Sequence, residues 1–333
     1  MSTELMQAAI LESFNQPFTL TAVPRTIPGP GEVLVRIAAS AVNPLDIKIH
    51  AGEAAHARQS LPAILGIDMA GTVEAVGPNV QTFRPGDEVY GMTGGVGGIQ
   101  GSLAEFASVD AKLLAIKPAT LSMRQAAALP LAFITAWEGL IDRAAIKSGD
   151  KVLIQGGAGG VGHIAIQLAS SFGAQVYATA SPRDHAYITE LGATPIDRDT
   201  PVETYLAQHT SGKGFDIVFD TVGGAVLDAS FTAVTRFGHV VSALGWGTHL
   251  LAPLSFRAAS YSGVFTLLPL LTGEGRAHQG DILREATRLA DLGKATPKLD
   301  PRHFTLQTVG DAYDAIRTGR SDGKIVVDIS PIS

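Results

Sequence analysis

The chain has 333 residues, 46% of them hydrophobic and 17% charged, enough to bury a large core and, by length, to build about two domains. A formal net charge of -6 leaves no basic balance for a polyanion and speaks against nucleic acid as a partner. Cysteine is absent, which removes disulfides, thiol nucleophiles and thiolate-liganded zinc together.

The chain starts MSTELMQAAILESF, which lacks the basic start and apolar core of a signal peptide, so a cytoplasmic protein is expected. Short alternating runs follow: EVLVRIAAS at 32–40, GTVEAVG at 71–77 and DEVYG at 87–91. Pro-Gly pairs at 28–31 and 85–86 sit where tight turns would reverse them, and the pattern predicts an antiparallel β domain. The glycine cluster TGGVGGIQG at 93–101 follows a strand, but no nucleotide-binding βαβ unit follows it. It reads as a flexible loop bordering a substrate cleft.

The rhythm changes near residue 122. MRQAAALPLAFITAWEGLIDRAAI reads as helix broken by Pro130. Beyond Lys151 the apolar strands KVLIQ, AQVYATA, FDIVFD and HVVSALG alternate with helix-length segments at 161–172, 182–191, 201–210, 224–236 and 279–292. Strands this apolar, separated by helices, predict a doubly wound parallel sheet covered on both faces. The twenty residues between Arg236 and Arg257 carry no charge, but three Gly, a Pro and two His interrupt them, which argues against a membrane span. Gly293 reads as a helix C-cap, and a short helix near 309–318 precedes the strand KIVVDI.

The run LIQGGAGGVG contains Gly157, Ala158, Gly159, Gly160, Val161 and Gly162 in GxGxxG spacing, after a strand and at the start of a helix. A helix N-terminus presents free N–H groups and a partial positive charge, so a pyrophosphate docks there if no side chain blocks it. The bland alternative is that such glycines only allow a strand and a helix to pack closely. The next strand would end in Asp or Glu if it held the ribose 2′-OH of NAD; VYATASPRD instead places Ser181 and Arg183 there. An acid would repel a 2′-phosphate and Arg183 would pair with it, so NADP(H) is the expected cofactor; the alternative is a solvated Arg183 opening a helix. There is no GxSxG elbow, HExxH helix or Cx2C pair to suggest a hydrolase or a zinc protease.

SAVNPLDIKIHAG (40–52), LGIDMAGTVEAVG (65–77), FRPGDEVYG (83–91), AAALPLAFITAWEGL (126–140), LIQGGAGGVGHIAIQLA and DIVFDTVGG together resemble the zinc-free, zeta-crystallin-like quinone oxidoreductase branch of the medium-chain dehydrogenase/reductase superfamily. The resemblance covers almost the whole chain. It implies an α/β protein with a GroES-like β domain at 1–121, completed by 296–333, and a Rossmann doubly wound parallel-sheet domain at 122–295. It also implies NADP in the cleft between the domains, and usually a homodimer.

Zinc alcohol dehydrogenases of the same superfamily place Cys at or near Val42 and a His-Glu pair at Ile67 and Asp68; here no Cys exists and the His is Ile67, so no metal is expected. Without a Lewis acid, a conjugated acceptor that spreads the developing charge, a quinone or an α,β-unsaturated carbonyl, is the natural substrate. The resemblance carries Asn43, in its VNP motif, to a place beside the nicotinamide and substrate. Asp46 is expected to order that loop. Lys48 stands where relatives commonly have Tyr; it is a candidate donor to the developing enolate or, alternatively, a solvated lysine, and His50 is no stronger a candidate. Thr135, Val222 with Gly223, Ala243 to Gly245 including Leu244, Phe265 to Leu267, and Lys324 of the Gly323–Lys324 pair match cofactor-side positions. FTLLPLL at 265–271 reads as core or dimer contact. The expected function is NADPH-dependent, zinc-independent reduction of a quinone or enone. The alternatives are an NADP-binding interaction module without turnover, and a reductase of simple aldehydes that uses a side-chain acid.

Overall fold

The computed structural model describes residues 4–329; residues 1–3 and 330–333, which belong to the expected first domain and to the segment read for a signal peptide, lie outside them. The chain forms two compact units, Met1–Leu131 with Leu267–Ser333, and Ala132–Thr266.

The first unit begins with β1 (Leu5–Leu11), β2 (Thr19–Pro24), β3 (Glu32–Val42), β4 (Ala63–Ile64), β5 (Asp68–Val76), β6 (Glu88–Met92), β7 (Phe106–Asp110) and β8 (Leu114–Ile116). The second contains β9 (Lys151–Gln155), β10 (Gln175–Ala180), β11 (Thr194–Asp197), β12 (Phe215–Asp220), β13 (Val234–Ser242) and β14 (Ser260–Gly263). The chain then returns to the first unit with β15 (Phe304–Thr305) and β16 (Ile325–Asp328).

Strand β3 is the spine of the first unit. It pairs antiparallel with β5 along its length, with β7 over Glu32–Arg36 and with β16 over Ala39–Val42. Register shifts between Leu34 and Val35 and between Ile37 and Ala39 bend it, as bulges do, and it serves β7 at one end and β16 at the other. The predicted turns hold: Gly31 and Gly86 adopt φ of +79° and +94°, a region glycine enters without steric cost.

The second unit is an all-parallel six-stranded sheet in the order β11-β10-β9-β12-β13-β14. Counted within the unit this is 3-2-1-4-5-6, the doubly wound order whose direction switches between β9 and β12. Leu153, Val218, Val240, Phe215, Leu227 and Phe231 pack in one cluster against its helices.

Several elements differ from the sequence reading. The helix expected at 224–236 is Ala225–Ala233, because Val234 already belongs to β13. Strands β11 and β14 were not foreseen: TPID carries a proline and SYSG no apolar run, a composition tolerated at the two edges of the sheet that they form. The helix expected at 279–292 runs Arg276–Asp291, with Gly293 beyond it at φ +69° as the expected cap.

The units divide after Leu131 and Thr266, whereas the sequence put the boundaries after 121 and 295. Packing decides this. The helix Met123–Ala127 is tied to β16 by Arg124, whose guanidinium meets Asp328 at 2.5 Å. The helix Arg276–Asp291 accepts a 2.7 Å hydrogen bond from the buried Tyr90 hydroxyl at the Leu283 carbonyl, and its Gly280 faces the Lys112 carbonyl so closely that a Cβ would come within 2.4 Å. Among the described residues no helix is long and apolar enough to cross a membrane.

Candidate functional site

In the second unit, the carboxyl ends of β9 and β10 are bolted together by one threonine. The Thr179 hydroxyl donates to Gln155 Oε1 at 2.8 Å and accepts from the Gly156 N–H at 3.1 Å, while the Thr179 carbonyl accepts from the Gly157 N–H at 2.8 Å. From there the chain turns through Gly156, at φ +77°, into the helix Gly162–Ser171. A Cβ on Gly157 would lie 2.6 Å from that of Ala178, and one on Gly162 would lie 2.1 Å from the Gly156 carbonyl oxygen. Gly159 and Gly160 are exposed, Ala158 and Val161 are half-buried, and no side chain caps the helix. Two glycines are therefore demanded by packing and two keep the surface open, which is the form a pyrophosphate cradle requires.

Ser181 follows β10, and the side chain of Arg183 is 82% exposed, with only a loose 3.5 Å pairing to Asp184. Arg198 was missed by the sequence reading because β11 was missed; it is exposed, and its N–H donates to the Ala180 carbonyl beside Ser181 at 3.0 Å. Asp220, at the end of β12, was also missed. Its buried carboxylate accepts from the N–H groups of Val222 and Gly223 at 3.0 Å and from the Ser242 hydroxyl at 2.7 Å, and that hydroxyl accepts from the Leu244 N–H at 3.0 Å. Asp220 thus holds the two loops that carry Val222 and Leu244. Phe265 packs edge-on against Trp246 with ring centroids 6.1 Å apart, and Thr135 lies buried on the helix Pro130–Trp137.

The first unit gathers a separate buried cluster at one end of its main sheet. Asn43 directly follows β3, Lys324 directly precedes β16, and the register that pairs Ile325 with Val42 sets Lys324 opposite Asn43. Asp68 opens β5 opposite Ala41. Asn43 is the N-cap of the helix Pro44–His50 and forms a capping box with Asp46. Asn43 Nδ2 donates to Asp68 Oδ2 at 3.0 Å, the Lys324 ammonium donates to Asn43 Oδ1, and the Leu131 N–H donates to Asp68 Oδ1 at 3.0 Å. Asp46 accepts from the Asn43 N–H at 2.8 Å and so orders the loop as expected. Lys324, expected on the cofactor side, is buried and has its ammonium on Asn43.

Lys48 is exposed on the same helix, and its charge helps to lower the pKa of His56, whose partial burial is the larger cause. His50 is a packing residue. Its ring bonds the Gln16 carbonyl at 2.9 Å and packs at a tilt against the rings of Phe18 and Tyr313. The loop 93–101 is pinned rather than flexible: Gly95 bonds Ile99, Gly97 bonds Ala57 and Gly101 bonds Ile64, and a Cβ on Gly94 would come within 1.9 Å of the Gln100 oxygen.

Burial dominates the electrostatics of the cluster. It raises Asp46 to about 7, with the Asp68 charge adding and the Asn43 N–H and Lys324 opposing; it raises Asp68 to about 6 and lowers Lys324. The folded chain thus keeps the Asp46 proton up to about pH 7, whereas the unfolded chain releases it near 3.8, so stability falls as pH rises between the two. Asp46→Asn cannot ionise and lacks this loss. Its melting temperature relative to the parent is expected to climb as pH is raised from about 4 to about 8. A difference independent of pH would mean that Asp46 is ionised throughout.

The cluster does not suit a zinc ion: Asn43 is engaged at both ends of its amide, Ile67 is apolar and fully buried, and an ammonium already supplies the positive charge. Among the described residues no group of three or more His, Cys, Asp or Glu side chains is placed to hold a metal.

A doubly wound dinucleotide domain carried with a β unit is the architecture of a nicotinamide-dependent dehydrogenase or reductase. Residues 29–119 match the alcohol dehydrogenase GroES-like domain family, and residues 191–327 match the zinc-binding dehydrogenase family. The chain is 37% identical over 307 residues to a 2-methylene-furan-3-one reductase of Solanum lycopersicum, covering 90% of this chain and 72% of that one. It is 34% identical to a chloroplastic NADPH-dependent alkenal/one oxidoreductase of Arabidopsis thaliana, covering 89% and 72%. An alcohol dehydrogenase superfamily protein from Novosphingobium aromaticivorans superposes with a TM-score of 0.97 at 61% identity, covering 98% of this chain and all of that one. The quinone oxidoreductase of Coxiella burnetii superposes with a TM-score of 0.82 at 29% identity, covering 98% and 100%. The chain belongs to the medium-chain dehydrogenase/reductase superfamily, in its quinone oxidoreductase branch.

Proposed function

We propose that this protein is an NADPH-dependent, zinc-independent reductase of α,β-unsaturated carbonyls or quinones. The observation that carries the proposal is the glycine turn at the switch point of the 3-2-1-4-5-6 sheet, open at Gly159 and Gly160, beside a strand end that offers Ser181 and Arg183 in place of an acid. The relatives named for alkenal/one and methylene-furanone reduction support a conjugated acceptor.

NADPH, when bound, would supply a hydride for the carbon conjugated with the carbonyl. The glycine turn would hold its pyrophosphate, the Asp220-anchored loops would flank it, and Arg183 and Arg198 would pair with the 2′-phosphate. The negative charge that grows on the acceptor oxygen is met by the Asn43 amide N–H and spread by conjugation, so no Lewis acid is required. Lys48 is the candidate second donor. One proton from solvent or a side-chain acid completes the product. Lys324 enters as the buried partner of Asn43.

NADPH consumption by chelator-treated protein tests the reading, with an enone, an enal, an ortho-quinone, a para-quinone and a saturated aldehyde as acceptors. Turnover of the conjugated acceptors alone is expected. Equal turnover of the saturated aldehyde would favour the simple-aldehyde reductase, and NADPH binding without turnover of any acceptor would favour the interaction module. Arg183→Ala is expected to weaken NADPH by about 1.5 to 3 kcal/mol, roughly 10- to 150-fold, and to leave NADH nearly unchanged. Equal losses for both cofactors would remove the NADP assignment.

A homodimer and a cytoplasmic location complete the proposal. The dimer is supported by the short edge strand β14 and by the exposed rings of Phe237 and Phe256, brought together where the Phe237 N–H donates to the Arg257 carbonyl. Light scattering that gives the mass of one chain would remove it.

A further inference from the structure

The helix Gly162–Ser171 starts without the usual device. Its N-cap, Val161, has no side-chain oxygen, and the turn before it carries Gly159 and Gly160, which have no side chains to restrain them. A Ser, Thr, Asp or Asn at the cap would steady such a turn by accepting from its N–H groups, and would consume the donors that a phosphate needs. Here the steadying contact comes from the carbonyl side. His163, only 2% exposed in the first turn of the helix, sets its ring Nδ1 2.8 Å from the Gly159 carbonyl oxygen, which also accepts from the His163 backbone N–H at 3.1 Å. A carbonyl only accepts, so Nδ1 carries the proton.

The peptide between Gly159 and Gly160 is trans and planar, so its N–H points opposite to its C=O. Two donors hold that C=O toward the helix, and the Gly160 N–H is thereby turned outward at an exposed residue. The N–H groups of Gly157 and Gly159 are spent on the Thr179 and Gly156 carbonyls, at 2.8 and 3.0 Å, whereas no acceptor among the described residues takes that of Gly160. The imidazole is itself held in place: Tyr187 lies beside it with ring centroids 6.5 Å apart, and Gln167 Nε2 donates to the His163 carbonyl at 3.1 Å.

We infer that His163 is a positioning residue whose ring clamps the Gly159 carbonyl, so that the Gly160 N–H is aimed at the pyrophosphate of the cofactor. The inference rests on the reading of the glycine turn proposed above. It makes the imidazole a cap that leaves the N–H groups unspent. Without it, one backbone bond at the frayed start of a helix has to fix two consecutive glycines, and the Gly160 peptide is free to turn its N–H away from the phosphate.

The test is NADPH binding by fluorescence titration to the full chain carrying His163→Leu or His163→Asn. Asn has an N–H at the δ position of its side chain, where histidine has Nδ1, so it can keep the contact, and Leu cannot. His163→Leu is expected to weaken NADPH about 10- to 50-fold, and His163→Asn to stay within about 5-fold of the parent. The probe 2′-AMP carries the adenosine and the 2′-phosphate without the pyrophosphate, and by calorimetry its affinity should change less than about 3-fold in both variants. Unchanged NADPH affinity in His163→Leu would overturn the inference and leave the reading of the turn standing. Equal NADPH losses in the two variants, or equal losses of NADPH and 2′-AMP, would make His163 a packing residue and overturn it too. No NADPH binding by the parent would overturn the reading of the turn and the inference with it. If His163→Leu melts below the titration temperature, His163→Met, which also lacks a donor, takes its place with the same criteria.

Discussion

Gly162→Ala is expected to weaken NADPH binding by at least about 100-fold, equivalent to roughly 2.7 kcal/mol, while the chain still folds. Alanine is the better helix former by about 1 kcal/mol, so propensity alone predicts a gain in stability. Tertiary contact reverses that. The added methyl would sit 2.1 Å from the Gly156 carbonyl oxygen and 2.9 Å from the Gly157 Cα, both backbone atoms that no side-chain rotation can move. Relief requires the helix Gly162–Ser171 to back away from the turn, carrying its N-terminal N–H groups off the pyrophosphate they would bind. Fluorescence titration with NADPH measures the loss, and thermal melting without cofactor separates it from misfolding. Binding within about 3-fold of the parent would mean that the glycines serve strand–helix packing and not a dinucleotide.

Asp220→Ala is expected to cost about 3 kcal/mol or more of stability and to weaken NADPH as well, because it strands several buried donors together. The N–H groups of Val222 and Gly223 and the Ser242 hydroxyl all lose their acceptor, and Ser242 no longer has a fixed oxygen for the Leu244 N–H. Each buried unsatisfied donor costs on the order of 1 to 3 kcal/mol. Loops 221–224 and 243–245 then lose the anchor that fixes them at the ends of β12 and β13. Asp220→Asn keeps the volume and one acceptor oxygen, so a smaller loss is expected. Chemical denaturation of the three proteins tests the order. An Asp220→Ala protein as stable as the parent would show that water or neighbouring groups take over those donors.

The glycine turn was legible because its requirement is local. A strand, a tight turn and a helix following within a few residues leave room only for glycine, and the chain records that need in consecutive letters. The absence of an acid after VYATA was legible for the same reason, since Ser181 and Arg183 lie at the end of the very strand that the glycines select. The resemblance extended this reading to Asn43 and to Asp46, which does order its loop. Arg198 and Asp220 were not legible. Arg198 follows an edge strand without an apolar run, and Asp220 closes an apolar strand where a single acid looks like a strand terminus.

By itself the sequence determined what periodicity and local sterics record: an antiparallel β unit followed by a doubly wound one, a tight glycine turn between strand and helix, a strand end without an acid, and a protein with no thiol. Tertiary structure alone decided where the units divide, that the glycine-rich loop 93–101 is pinned rather than flexible, and what surrounds Asn43. Asp68 is 25 residues from Asn43 and Lys324 is 281 residues away. Only the pairing of β3 with β5 and β16 brings them to one sheet end, and only burial there turns an amide, a carboxylate and an ammonium into one fixed unit. Hydrogen-bond orientation and desolvation depend on what the fold places nearby, and spacing along the chain does not encode that.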